Sequence, residues 1–482
     1  MKKFNVTKIN ERGSWNKKLI PILAIGFVLV IISLGVFRNM MNERYPWIWA
    51  YIADQISPSK EHVKVGPTHV MFFFTDHFEP HDQAAMDRWV EGYPKLAEKH
   101  RDADGKYPQH SWFWYFDKSD DPEKLRFLKQ LAELTYRGFG EMELHLHHYN
   151  DNEESFLKKM GRALQLSQQT GALITKETHP RTTFGFIHGR WSLDNSRGPG
   201  DCGVNNELIL LRRLGCYADF THPSWGKMHP KVVNRIYYAT DDPLKPKSYD
   251  RGKEMRVGAP GIGDLLIFEG PSVVRFKGFK PIYDHGEISA DELPMPERID
   301  GWVKANVHVK GRPEWVFVKV FAHGALHGDS GAVLGAQAEQ MYAYLEQHYN
   351  DGKRYVLHYV TAREAYNIAI AAEAGKTGNP NDFRDFTMAP YVNRFMTSSL
   401  PYEVISIDDK KAVVKFLAPA GSEAEVRLRA QSVSISGGAD LKNLKEEKDE
   451  TVLKLILKDK GIIGLTFESY GTQSAKEAGK IQ

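Results

Sequence analysis

The chain has 482 residues, 42% of them hydrophobic and 26% charged, with a net charge of +3. That length exceeds what one compact domain usually needs, and the composition is that of a globular protein. The small net charge argues against nucleic acid or another polyanion as partner. Aromatic residues reach 12%, which suits a large core first and a sugar-stacking cleft second. Cys202 and Cys216 are the only cysteines. They read either as a disulfide pair in an oxidising compartment or as two small buried thiols, and their spacing does not read as a metal-ligand cluster.

The N-terminus reads as a membrane anchor. Residues 19–37 carry no charge and are apolar almost throughout, long enough as a helix to cross the hydrocarbon layer of roughly 30 Å. Lys2, Lys3, Lys8, Arg12, Lys17 and Lys18 precede the run, while only Arg38 and Arg44 follow it closely. The positive-inside rule then puts residues 1–18 in the cytoplasm and the main domain outside it, periplasmic or extracellular, on a single-pass chain. Residues 38–65 read as a polar and aromatic stalk, with Trp47, Trp49 and Tyr51 as an interfacial belt.

From residue 66 the pattern becomes strand–helix alternation. Strands are expected at 70–74, 141–148, 183–187, 217–221, 315–321 and 354–359. Helices are expected at 87–100, 122–137, 153–170, 206–214, 331–349 and 362–374. This rhythm predicts an α/β fold, a distorted (β/α) barrel over 66–399, interrupted by an irregular Pro- and Gly-rich insertion at about 226–312. Short alternating runs over 400–470 predict a small all-β module, and 471–482 a disordered tail.

Functional side chains of a parallel barrel sit just beyond the carboxyl ends of its strands. Thr75-Asp76-His77-Phe78-Glu79 follows the first expected strand and His145-Leu146-His147-His148 ends the second. His188-Gly189-Arg190-Trp191-Ser192-Leu193-Asp194 follows the next, then His222-Pro223-Ser224-Trp225, and later His323-Gly324. Imidazole and carboxylate suit zinc, iron, manganese or cobalt. His145 and His147 share one face of a strand. With Asp76 or His77 they make a three-ligand site with room for a water that a metal would activate. Glu79 and His81 read as supporting or solvated groups.

The order of these motifs resembles the polysaccharide deacetylase (NodB homology) superfamily, distorted barrels of metal-dependent carbohydrate deacetylases. The resemblance implies a base at Asp76 and metal ligands at His77, His145 and His147 or His148. It further implies Arg190 as the orienting arginine and His323 as the general acid. The implied cofactor is a divalent metal, zinc first, with cobalt, nickel, manganese or iron as alternatives; the implied substrate is a polysaccharide or oligosaccharide. Trp191, Asp194, His222 and Trp225 are candidate substrate contacts, and Trp112, Phe113, Trp114 and Tyr115 could stack on sugar or fill the core. In this sequence the second-ligand position of the family's second motif falls on Tyr149. Two other readings stay open. One is a glycoside hydrolase using Asp76 with Asp194 or Glu143. The other is a non-catalytic carbohydrate-binding or assembly protein.

Overall fold

The computed structural model describes residues 45–56, 66–116, 122–177, 182–459 and 461–468, with scattered positions between 23 and 38. The basic tail, most of the expected 19–37 span and the 471–482 tail lie outside these residues. Among the described residues no helix is long and apolar enough to cross a membrane.

The barrel region is built on an 11-stranded, mostly parallel sheet. Its strands begin with β1 (Thr68–Phe78), β2 (His110–Tyr115), β3 (Gly140–Leu146), β4 (Phe184–His188) and β5 (Cys216–Asp219). Then come β6 (Ile236–Ala239), β7 (Gly252–Glu254), β8 (Leu265–Phe268) and the separate hairpin β9 (Val273–Lys277) and β10 (Lys280–Asp284). β11 (Glu287–Ile288), β12 (Trp315–Ala322) and β13 (Tyr355–Tyr359) complete it. The order across the sheet is β11-β12-β1-β2-β3-β4-β5-β8-β6-β7, and β13 pairs with the first half of β1. Only β6 runs against the others, antiparallel to both β8 and β7.

β1 explains why this sheet curls around a core. Its residues are apolar on both faces and buried from Val70 onward, the mark of a strand covered on each side. Phe73 points inward, its ring 5.6 Å from that of Phe268 and 6.4 Å from that of Phe220. Phe72 and Phe74 point outward, against Tyr342 and Tyr359 and against His110. The inward rings, with Phe113 and Phe317, form a plug beneath the carboxyl ends of the strands. Lys319 of β12 reaches across the interior and donates to the carbonyls of Phe220, His222 and Phe268. Side chains thus link β12 to the far strands where no backbone ladder does. Burial pushes the Lys319 ammonium down to about 7, against the pull of Glu269 and Asp219.

Three regions differ from expectation. The 110–115 stretch is the core strand β2, with Trp112, Phe113 and Trp114 buried; alternation is invisible where both faces are apolar. The 226–312 stretch supplies β6 to β11, and β8 continues the parallel order beyond β5. Its strands are short, and the Pro and Gly between them mask their pattern. The expected 331–349 helix is two, His327–Leu334 and Ala336–Tyr349, divided at Gly335.

Residues of the expected stalk form a helix, Ile48–Ile56, docked on the barrel. Trp47 is buried, stacked on His229 at 5.0 Å and against Tyr283 at 4.3 Å. The Tyr51 hydroxyl accepts from the Val274 N–H, and Asp54 pairs with Arg235. Trp47 is therefore a core residue and does not belong to an interfacial belt; Trp49 is 46% exposed. Beyond the barrel, two four-stranded antiparallel sheets pack face to face around Val414, Val426, Leu455 and Ile463. This β module is fixed to the barrel through Arg394 on the Gly140 carbonyl and the Tyr402 N–H on that of Gln169.

Candidate active site at the carboxyl mouth of the barrel

Two strand ends meet above the aromatic plug. Glu79 follows β1 on the inward face shared by His77. His145 sits near the end of β3 and His147 two residues on, on the same face. The nearest Glu79 oxygen is 3.2 Å from His145 Nε2 and 3.4 Å from His147 Nε2, and the two nitrogens are 3.0 Å apart. His145 Nδ1 lies 2.9 Å from the Ile187 carbonyl. A carbonyl only accepts, so Nδ1 carries the proton and Nε2 of the neutral ring turns its lone pair toward Glu79. Burial keeps His145 neutral by lowering its pKa. Burial would raise the Glu79 carboxyl, and the hydrogen bond from His147 lowers it.

Three potential metal-donor atoms thus face one another within hydrogen-bond distance. Tetrahedral ligands about 2.0–2.1 Å from one ion stand about 3.3 Å apart, which matches these separations. The donor set of one carboxylate and two imidazoles fits a divalent metal. Tyr149 is not a ligand, but its hydroxyl lies 3.2 Å from His147 Nδ1 and fixes that ring. Gly189 lets the His147 ring lie close: a Cβ there would stand 2.2 Å from His147 Cδ2.

The other expected residues fall in different places. His77 lies beside the donor set, its ring 4.8 Å from His145 and 4.7 Å from His323, and burial holds it neutral. The close donor set contains Glu79 in its stead. Trp191 stands over His77 and near His323. Trp225 packs on His285 at 4.4 Å, and His285 packs on Phe321 at 5.2 Å, extending the same aromatic wall. Tyr115, at the end of β2, closes the opposite side, 4.7 Å from His147.

Asp76 is not brought to this mouth. It alternates to the helix-facing side of β1, where Oδ2 meets His110 Nε2 at 3.0 Å and Oδ1 accepts the Gly324 N–H at 2.8 Å. A Cβ on Gly324 would stand 2.4 Å from that carboxylate, so Asp76 secures the loop carrying His323. Arg190 turns outward to Asp201 at 3.0 Å and does not orient Asp76. His148 faces away from His147, toward Glu207 at 3.1 Å. Asp194 is buried, takes the Ser248 N–H at 2.6 Å and is pushed up to about 8 by burial and Asp241. His222 is buried against Tyr249 and bonded to Ser224. Glu143, the other hydrolase candidate, lies deep in the barrel, where it accepts from Tyr217, Tyr391 and the Gly185 N–H.

Glu79, a supporting or solvated group by sequence, is brought by the fold to the two imidazoles, and its two-residue spacing from His77 was the available signal. Glu287 gave no such signal. It lies on β11 beside Phe321, 3.3 Å from His285, and burial raises its pKa against the pull of His323.

No protein-family model matches this chain, and no curated protein does. Among solved structures the chain is similar to a family 39 glycoside hydrolase from the gut symbiont Bacteroides cellulosilyticus WH2, at 10% identity and a TM-score of 0.24, over 84% of this chain and 81% of that one. A likeness at that level carries no argument about activity.

Proposed function

We propose that this protein is a metal-dependent carbohydrate hydrolase of the deacetylase type, with Glu79, His145 and His147 holding a divalent metal. The observation that carries the reading is the convergence of one carboxylate and two imidazoles, their donor atoms within 4.8 Å of one another, at the mouth of a mostly parallel barrel. Bound there, zinc or a similar ion would supply Lewis acidity and lower the pKa of a water. The chain's own groups do the rest. His323, its ring 4.7 Å from that of His77 at the rim, gives a proton to the leaving amine or alkoxide. Trp191, Trp225 and Tyr115 offer ring faces to sugar. The proposal keeps the barrel outside the cytoplasm, tethered by residues 19–37 to the membrane.

The test is acetate release from acetylated oligosaccharides by the purified full chain, with metal content measured alongside. His145→Ala should lose both metal and acetate release. Full activity and unchanged metal in that variant would remove the proposal.

A glycoside hydrolase has one observation in its favour. Glu79 is held ionised while Glu287, on the same rim, is pushed toward its protonated form, the division of roles that glycoside cleavage uses. New reducing ends without acetate, lost in both Glu79→Gln and Glu287→Gln, would decide for it.

A further inference from the structure

A second donor cluster lies behind the mouth and takes no part in it. His148 follows β3, His188 ends β4, Cys202 closes the loop after β4, and Glu207 opens the helix Glu207–Leu214. All four side chains are fully buried, and their donor atoms lie within 4.8 Å of one another. We propose that His148, His188, Cys202 and Glu207 form a closed structural zinc site.

The outward-facing atoms of these groups are already committed. His148 Nδ1 meets the Asp151 carboxylate at 3.1 Å, and Asp151 is fixed by Ser155 and Lys159, each at 2.6 Å. His188 Nδ1 donates to the Gly189 carbonyl at 2.7 Å. The second Glu207 oxygen accepts the Asp194 N–H at 2.6 Å, and Cys202 Sγ accepts that of Val204 at 3.4 Å. Such partners fix the tautomer and aim of metal ligands. What remains points inward: His148 Nε2 is 3.1 Å and His188 Nε2 3.6 Å from one Glu207 oxygen. His188 Nε2 is buried and makes no hydrogen bond among the described residues, an orphan that a cation satisfies. One thiolate and one carboxylate balance the charge of Zn²⁺. Four buried ligands leave no open position, which marks a structural site and separates it from the mouth.

The site would serve the loop that follows His188. Arg190, Trp191, Asp194 and Asn195 all have positive φ, a conformation that persists only where surroundings impose it. Ligands before and after this loop pin both its ends, and the loop delivers Trp191 to the mouth.

The test uses the full chain carrying Glu79→Gln and His145→Ala, which disables the mouth donors, so that its outcome does not depend on the proposed activity. We expect this variant to retain one equivalent of zinc through purification. Replacement by cobalt should give a thiolate-to-cobalt charge-transfer band, and chelation should lower its melting temperature reversibly. Absence of bound metal, or bound cobalt without a thiolate band, would overturn the proposal. Both readouts precede any further mutation, so a variant of Cys202 that fails to fold cannot obscure the answer.

Discussion

The two donor clusters arise from one strand end and differ by a single alternation. His145 and His147 face the mouth, where the side chains of Glu79 and His147 are each 17% exposed. His148 faces the opposite way, into a fully buried pocket with His188, Cys202 and Glu207. The first cluster has three donors and solvent nearby; the second has four and none. Open coordination suits catalysis and closed coordination suits architecture. A run of histidines is therefore not one site: the direction of each side chain and its access to water divide the labour.

The largest effect should separate the clusters by function. His145→Ala should lower kcat/KM by at least about 10³-fold, ~4 kcal/mol of transition-state stabilisation, while its melting temperature stays close to wild type. If melting falls and activity persists, the assignment of open and closed clusters is reversed. His323→Gln should retain the mouth metal yet lose about 10²-fold in kcat, with one limb of the pH–rate profile removed. An unchanged profile would take His323 out of proton transfer.

Cys202→Ala should act in the opposite sense. It should lower stability by about 2 kcal/mol by leaving buried groups unpartnered, a melting shift of ~2–4 °C for a domain of this size, with the mouth metal retained. A stability equal to wild type would show the closed cluster to be dispensable.

A smaller effect concerns pH. Burial pushes His229 down to about 3, and it is held neutral between the Pro230 carbonyl and Ser272. The unfolded chain takes up a proton near pH 6.5 that the folded chain refuses. Its contribution is thus fully present above pH 6.5 and is lost as pH falls toward 3, at no more than about 1.4 kcal/mol per pH unit. His229→Asn should flatten the acid limb of a melting-temperature series, and an unaltered slope would contradict this. The smallest effect belongs to Arg190, whose surface pair with Asp201 is 51% exposed on the arginine side. Arg190→Ala should change stability by less than about 0.5 kcal/mol and leave kcat/KM alone; a large loss of activity would return it to the mouth.

Much of the barrel was legible because its strands and helices follow distinct hydrophobic periods. β1, β3, β4 and β12 stand out as buried runs, and the helix Asn206 precedes ends at Gly215 in the left-handed region. β2 was not, since its aromatic run on both faces erased the period of two. β8 was not, because four residues between Pro- and Gly-rich turns give too short a signal. At the site, the histidine-rich strand ends were visible in the sequence. The exchange of His77 for Glu79, the inward turn of Cys202 and the distance between Arg190 and Asp76 were not.

The order of the residues by itself determined that imidazoles and carboxylates gather at successive strand ends, because a parallel strand–helix repeat places every such end on one rim. Only the tertiary structure decided which of them meet. Strand alternation and loop path set the direction of each side chain, and burial set its charge, so that Asp76 holds a loop, Glu79 faces two imidazoles, and His148 turns its back on its neighbour.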